Sequence, residues 1–138
     1  MIVADTNVVS EFMKDQPEPT VLSWAQGVPA TGLIICVVTV EEIERGLGRL
    51  PGGKRRQGLE RQWHEILDAF SESIAIYDVA AARATARVLV EAEASGHPMG
   101  LADAQIAGIC VSGGWALATR NVRDFDYVSD LSLINPFK

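Results

Sequence analysis

Short unbroken apolar runs alternate along this chain with longer stretches of helical periodicity, and few folds accept that order. Ile2 to Ala4, Leu33 to Val38, Ile74 to Tyr77 and Trp115 to Thr119 read as buried strands, and Leu131 to Ile134 as a fifth, marginal edge strand. The intervening segments read as helices: Thr6 to Lys14, Thr20 to Val28, Thr39 to Leu50, Lys54 to Phe70, Val79 to Ala94 and Leu101 to Ser112. Pro and Gly clusters separate them, as in Gln16-Pro-Glu-Pro19, Pro51-Gly-Gly53 and Ser95-Gly-His-Pro98. Strands without polar alternation are buried on both faces, so the pattern predicts an α/β fold of three layers (α/β/α) with a central parallel sheet of four to five strands. The strand carboxyl ends then share one edge, where open α/β sheets bind their ligands.

At 138 residues and 48% hydrophobic, the chain suits a single domain over residues 1–138 with a full core. No apolar run reaches the roughly 18 residues of a membrane span, and the amino terminus enters a strand with no signal-peptide pattern, so a cytoplasmic protein is expected. Cys36 and Cys110 sit in apolar segments and read as buried thiols; without a Cys/His cluster, zinc is not expected. A net charge of −6 and a pI near 4.8 argue against unspecific nucleic-acid binding over the whole surface, though not against a nucleic acid gripped locally.

Acidic residues fall at the predicted ligand edge. Asp5 ends the first strand, Glu42 follows the second within the first turn of its helix, Asp103 opens the helix from Leu101, and Asp124 follows the fourth strand. Singly each has an ordinary explanation. Asp5 can cap the first helix, Thr39-x-x-Glu42 is a capping-box pattern, Asp103 can favour a helix dipole, and Asp124 can sit in a turn. Together they form a cluster of like charges that a divalent cation would relieve. Oxygen-only ligands with room for water suit Mg²⁺ or Mn²⁺, and such ions support hydrolysis of a phosphodiester.

Four ordered segments carry a resemblance: Asp5-Thr-Asn-Val-Val-Ser10, Thr39-Val-Glu-Glu-Ile-Glu-Arg-Gly46, Ala102-Asp-Ala-Gln-Ile-Ala107 and Ala118-Thr-Arg-Asn-Val-Arg-Asp-Phe125. They resemble the motifs of PIN-domain nucleases over essentially the whole chain, and are most similar to the VapC toxins of bacterial toxin–antitoxin pairs, including the FitB-like branch. The resemblance implies an Mg²⁺- or Mn²⁺-dependent endoribonuclease. It also implies a homodimer held inactive by a cognate antitoxin, with DNA reached only through that antitoxin. Asp5, Glu42 and Asp103 match the family's acidic positions. Some relatives carry the fourth acid where this chain has Asn121, so that role passes to Asp124, with Asn7, Thr119 and Asn121 in support.

Arg120 and Arg123 flank the fourth motif and are candidates to hold a substrate phosphate, unless they pair with the site acids. Lys54, Arg55 and Arg56, with Arg61 nearby, read either as a solvated helix start or as a phosphate grip for RNA. Trp24, Trp63 and Trp115 fall at core positions, His64 beside an apolar stripe, and His97 in the loop before Asp103. A second reading from another class is a non-catalytic PIN-like subunit of a DNA-binding repressor complex. Retained acids argue against it, since a pure binder gains nothing from adjacent like charges. Receiver-like and haloacid-dehalogenase-like domains are disfavoured, because Ala118-Thr-Arg-Asn121 offers no lysine and position 7 is not aspartate.

Overall fold

The computed structural model describes residues 1–29 and 31–138. In chain order the elements are β1 (Ile2–Ala4), α1 (Thr6–Phe12), α2 (Pro19–Gly27), β2 (Leu33–Cys36), α3 (Val37–Gly48) and α4 (Lys54–Ala69). They continue with β3 (Ile74–Ala75), α5 (Val79–Ala94), α6 (Leu101–Gly113), β4 (Ala116–Ala118), α7 (Val122–Phe125) and β5 (Leu133–Ile134). The five strands form one sheet in the order β3-β2-β1-β4-β5, and every pairing is parallel. β1 is the middle strand. The chain leaves it toward β2 and β3, then returns on the opposite side with β4, so the boundary between β1 and β4 is a topological switch point.

Alternate strand residues face alternate layers, as the two-residue repeat of a strand requires. Val3, Ile34 and Leu117 pack with Ala81 and Val88 of α5 and with Ile106, Ile109 and Cys110 of α6. Ala4, Leu33, Ile35 and Ala118 pack on the other face with residues of α1 to α4, including Val8, Val9, Ile43 and Trp63. The expected three-layer α/β/α architecture is therefore present, with α1–α4 on one face and α5–α7 on the other. The long apolar stretch of α6 is buried along most of its length, as its composition predicts. Trp63 is buried, whereas Trp24 and Trp115 are half-buried against the core. Of the apolar residues on α2 and the α3–α4 hairpin, Val21 and Leu47 are buried and Leu22 is exposed. No helix among the described residues is long and apolar enough to cross a membrane.

One boundary differs from the sequence reading in a way that matters. β2 ends at Cys36 and α3 begins at Val37 with no loop between them, so Val37 and Val38 belong to the helix. An unbroken apolar run does not distinguish a strand from the first turn of a buried helix. The strand stops where its pairing with the two residues of β3 stops, at Cys36↔Ala75. Glu42 consequently lies in the second turn of α3, not the first, and Thr39 lies inside the helix instead of capping it. β3 is shorter than expected because Ile76 and Tyr77 are exposed beyond its last pairing. The turn expected after β4 closes into the four residues of α7.

Candidate active site

Asp5 is the residue on which the switch point converges. It follows β1, its backbone N–H donates to the Ala118 carbonyl at 2.9 Å, and only 4% of it is exposed. It is the N-cap of α1, and Oδ1 accepts from the Thr6 N–H at 2.8 Å. The capping role is thus real but takes one oxygen. Oδ2 accepts from the fully buried Thr119 hydroxyl at 2.7 Å and from Asn7 Nδ2 at 3.4 Å. Thr119 Oγ1 in turn accepts from the Asn121 N–H at 3.0 Å, and Asn7 Oδ1 accepts from the Arg120 N–H at 3.1 Å. Asn7 and Thr119 therefore support Asp5 directly. Asn121 contributes its backbone N–H, and its side chain is exposed.

Glu42 reaches the same edge from α3. Thr6 Oγ1 donates to Glu42 Oε1 at 2.8 Å and lies 3.1 Å from Thr39 Oγ1. A hydroxyl has one proton. Because that of Thr6 goes to Glu42, Thr39 donates to Thr6. The Cys36 thiol, 3.7 Å from Thr39 Oγ1, then donates to Thr39. Burial pushes the Cys36 thiol above its ordinary range, with the Asp5 charge acting in the same direction, which keeps that proton in place. The result is a directed chain, Cys36 to Thr39 to Thr6 to Glu42, that fixes the glutamate from beneath. Sequence reasoning missed it. Thr6 and Thr39 look like caps, and only the strand-to-helix junction at Cys36 turns them toward one another.

The charges of all four acids are felt at one place. Burial raises the Asp103 carboxyl to about 6, and Asp5, Asp124 and Glu42 add to the rise in that order. Asp5 is also raised, first by burial and then by Glu42 and Asp124, against the lowering effect of its hydrogen bonds from Thr119 and Thr6. Asp103 is half-buried in the first turn of α6, while Asp124 is exposed in α7. Both line a cleft of about 500 Å³ with Arg123, His97, Met99 and Tyr127. Among the described residues no three Asp, Glu, His or Cys side chains already stand in a metal-ligating group. The donor set nevertheless fits Mg²⁺ or Mn²⁺. It is all hard oxygen, two of its members are held above their usual range by burial and by the charges of their neighbours, and Mg²⁺ is commonly bound through one or two carboxylates with water and substrate phosphate.

The basic candidates divide. Arg123 lines the acidic cleft and makes none of the ion pairs found among the described residues. Arg120 pairs at 3.7 Å with Glu11, which is not one of the site acids, and its guanidinium stacks 3.8 Å above the Phe137 ring. Glu11 is a further residue that sequence reasoning missed. It is 2% exposed yet charged: burial alone would raise it, but hydrogen bonds from Lys14 and the Glu18 N–H, and the charges of Lys14 and Arg120, bring it below its usual range. Lys54 and Arg55 do not line the acidic cleft. They line a second one, of about 490 Å³, with Lys14 and Arg61. Arg56 is committed to Glu60 at 2.7 Å and to the Leu50 carbonyl at 3.1 Å.

The sequence pattern of the family described as the PIN domain matches residues 2–131. The chain belongs to the PIN-domain family. It is 36% identical to VapC ribonuclease Y4jK of Sinorhizobium fredii, over 100% of this chain and 99% of that one. It is 30% identical to toxin FitB of Neisseria gonorrhoeae, over 99% of each. The PIN fold superposes on a chain of FitAB bound to an IR36 DNA fragment with a TM-score of 0.91 and 30% identity, covering 100% of this chain and 96% of that one.

Proposed function

We propose that this PIN domain is a divalent-metal-dependent endoribonuclease and the toxin of a toxin–antitoxin pair. The observation that carries the reading is the mutual electrostatic burden of Asp5, Glu42, Asp103 and Asp124, four acids from four separate segments acting on one cleft. Adjacent carboxylates cost a fold stability unless they do something with a cation. Asp5 and Asp103 would hold Mg²⁺ or Mn²⁺, with Glu42 and Asp124 completing the site. When bound, the ion supplies Lewis-acid polarisation of the phosphate and of the attacking water.

The remaining work falls to the chain. Thr119 holds Asp5 in one orientation, and the Thr39–Thr6 pair does the same for Glu42, so neither carboxylate has to be reorganised when substrate arrives. Arg123, unpaired within the cleft, takes a non-bridging oxygen of the scissile phosphate. The net reaction adds water across a P–O bond of the RNA backbone. Lys54, Arg55 and Arg61 grip the backbone further along the strand.

The relatives named VapC ribonuclease and toxin FitB support an RNA substrate and the role of a toxin, and the FitAB complex with DNA supports a partner with which the toxin meets DNA; action in the cytoplasm is part of the same reading. In this reading the antitoxin closes the acidic cleft with a cationic side chain. The test is cleavage of single-stranded RNA by antitoxin-free protein with Mn²⁺. Cleavage is expected to stop on chelation and in Asp5→Asn and Asp103→Asn, with circular dichroism unchanged. Cleavage at the wild-type rate by either variant would overturn the assignment.

A further inference from the structure

The cleft that holds Asp103 and Asp124 has an aromatic wall that the hydrolytic chemistry does not use. His97 and Tyr127 stack with ring centroids 3.7 Å apart and planes 11° from parallel. Both rings line the cleft and both are exposed, Tyr127 at 41%. The two residues come from different segments, the α5–α6 loop and the turn after α7. Backbone hydrogen bonds tie the loop to the end of α5 at this point. Gly96, at φ 78°, closes α5 with its N–H on the Glu93 carbonyl, and the His97 N–H donates to the Ala92 carbonyl at 3.0 Å. Two residues on, Met99 is packed against the core. A stacked pair on a fixed backbone, open on its outer side to a cleft of about 500 Å³, is a preformed platform for a third flat ring.

We propose that this stack is a nucleobase subsite for the nucleotide adjoining the scissile phosphate. The inference rests on the nuclease reading and deepens it. Among the described residues Arg123 is the one Lys or Arg lining the cleft, which it shares with Asp103, Asp124 and both rings, so one nucleotide can set its phosphate toward Arg123 and the acidic edge and its base on the rings. A bare phosphate would be repelled by Asp103 and Asp124 and would gain nothing from two aromatic rings. Stacking accepts any base, since each has a π-face, so the subsite orders a single strand more than it reads sequence. A duplex, whose bases are already stacked on one another, is excluded. His97 and Tyr127 are positioning residues in this account and touch no reacting atom.

The chain has two histidines, so the His97 ring signals are readily followed by NMR against His64 as an internal control. Metal-free protein is titrated with AMP and, separately, with ribose 5-phosphate, which has the sugar and phosphate but no base. AMP is expected to shift the His97 ring protons by ring current while His64 stays put, and ribose 5-phosphate is expected to leave both unmoved. Tyr127→Ala is expected to weaken AMP binding about tenfold, with Tyr127→Phe retaining it. In cleavage of single-stranded RNA, Tyr127→Ala is expected to raise KM and leave kcat near its wild-type value. If Tyr127→Ala fails to fold, His97→Ala read through the Tyr127 signals supplies the same comparison. Equal shifts with ribose 5-phosphate, or AMP affinity unchanged in the Ala variant, would overturn the proposal. Base binding without any RNA cleavage would sink the nuclease reading and leave the subsite standing; cleavage with KM unchanged in Tyr127→Ala would do the reverse.

Discussion

Thr119 has no exposed surface and is hydrogen-bonded to Asp5 across 114 residues of sequence. Its removal leaves a buried carboxylate oxygen short of its best donor. Thr119→Val is expected to cost about 1–3 kcal/mol in thermal unfolding and to lower metal-dependent cleavage by about 10- to 100-fold, whereas Thr119→Ser should retain most of both. The raised carboxyls of Asp5 and Asp103 set a pH dependence. In the folded chain Asp103 binds its proton up to about pH 6, against 3.8 ordinarily. Its contribution to stability is therefore complete below about 3.8 and is lost as pH rises through about 6. Glu11 acts oppositely: its lowered carboxyl stabilises the fold above the ordinary glutamate range and that stability is lost in acid. Metal-free protein is thus expected to lose Tm as pH rises from about 4 to about 6, with the loss reduced in Asp103→Asn. Mg²⁺ at neutral pH should restore Tm to the wild type and not to that variant. Scanning calorimetry at several pH values measures both.

Two glycines on helices separate close packing from mere permissiveness. A Cβ at Gly108 of α6 would stand 2.8 Å from the Ala81 carbonyl oxygen of α5 and closer still to the Thr85 hydroxyl, itself bonded to that carbonyl. Gly108→Ala must push α6 off α5, and with it the first turn that carries Asp103. Urea denaturation is expected to show a loss of about 1–3 kcal/mol. Gly46 of α3 has open space where its Cβ would be, and Gly46→Ala is expected to gain about 0.5–1 kcal/mol. The elements themselves were largely legible: unbroken apolar runs gave the strands, and Ser95-Gly-His-Pro98 and Gly113-Gly114 marked helix ends that the structure closes with glycines at positive φ. The junction at Cys36 was not legible, because valines suit a strand and a buried first helical turn alike. That single boundary decides where Glu42 points, and hence which hydroxyl holds it.

Over the whole molecule, charge is segregated. The chain is −6 overall, yet the cleft beside α4 gathers Lys14, Lys54, Arg55 and Arg61 against one acid, Asp15. Of these cations only Lys14 is engaged in an ion pair among those found, with Glu11. Glu11 also meets Arg120, so this one buried carboxylate at the end of α1 joins Lys14 of the basic cleft to the residue that follows Thr119. The seven residues of α1 span about 10 Å, a distance a few nucleotides can cover. Neutralising Lys54, Arg55 and Arg61 together is expected to weaken RNA binding and to flatten the log–log salt dependence by about 2, as measured by anisotropy from low to physiological salt. An unchanged slope would show that the basic cleft faces solvent only.

The sequence by itself determined the layers and the parallel sheet, and it singled out the four acids as candidates. Those follow from local periodicity and from residue types that only a few positions along a strand or helix can accept. It did not determine that Thr6 serves Glu42, that Glu11 is a buried charged hub, that Lys54 and Arg55 border a cleft other than the acidic one, or that His97 meets Tyr127. Each of these pairs residues distant in the chain, and their meeting depends on strand order and on where one strand yields to a helix. Local sequence encodes which faces are buried; only the assembled sheet decides which side chains then share the same few ångströms.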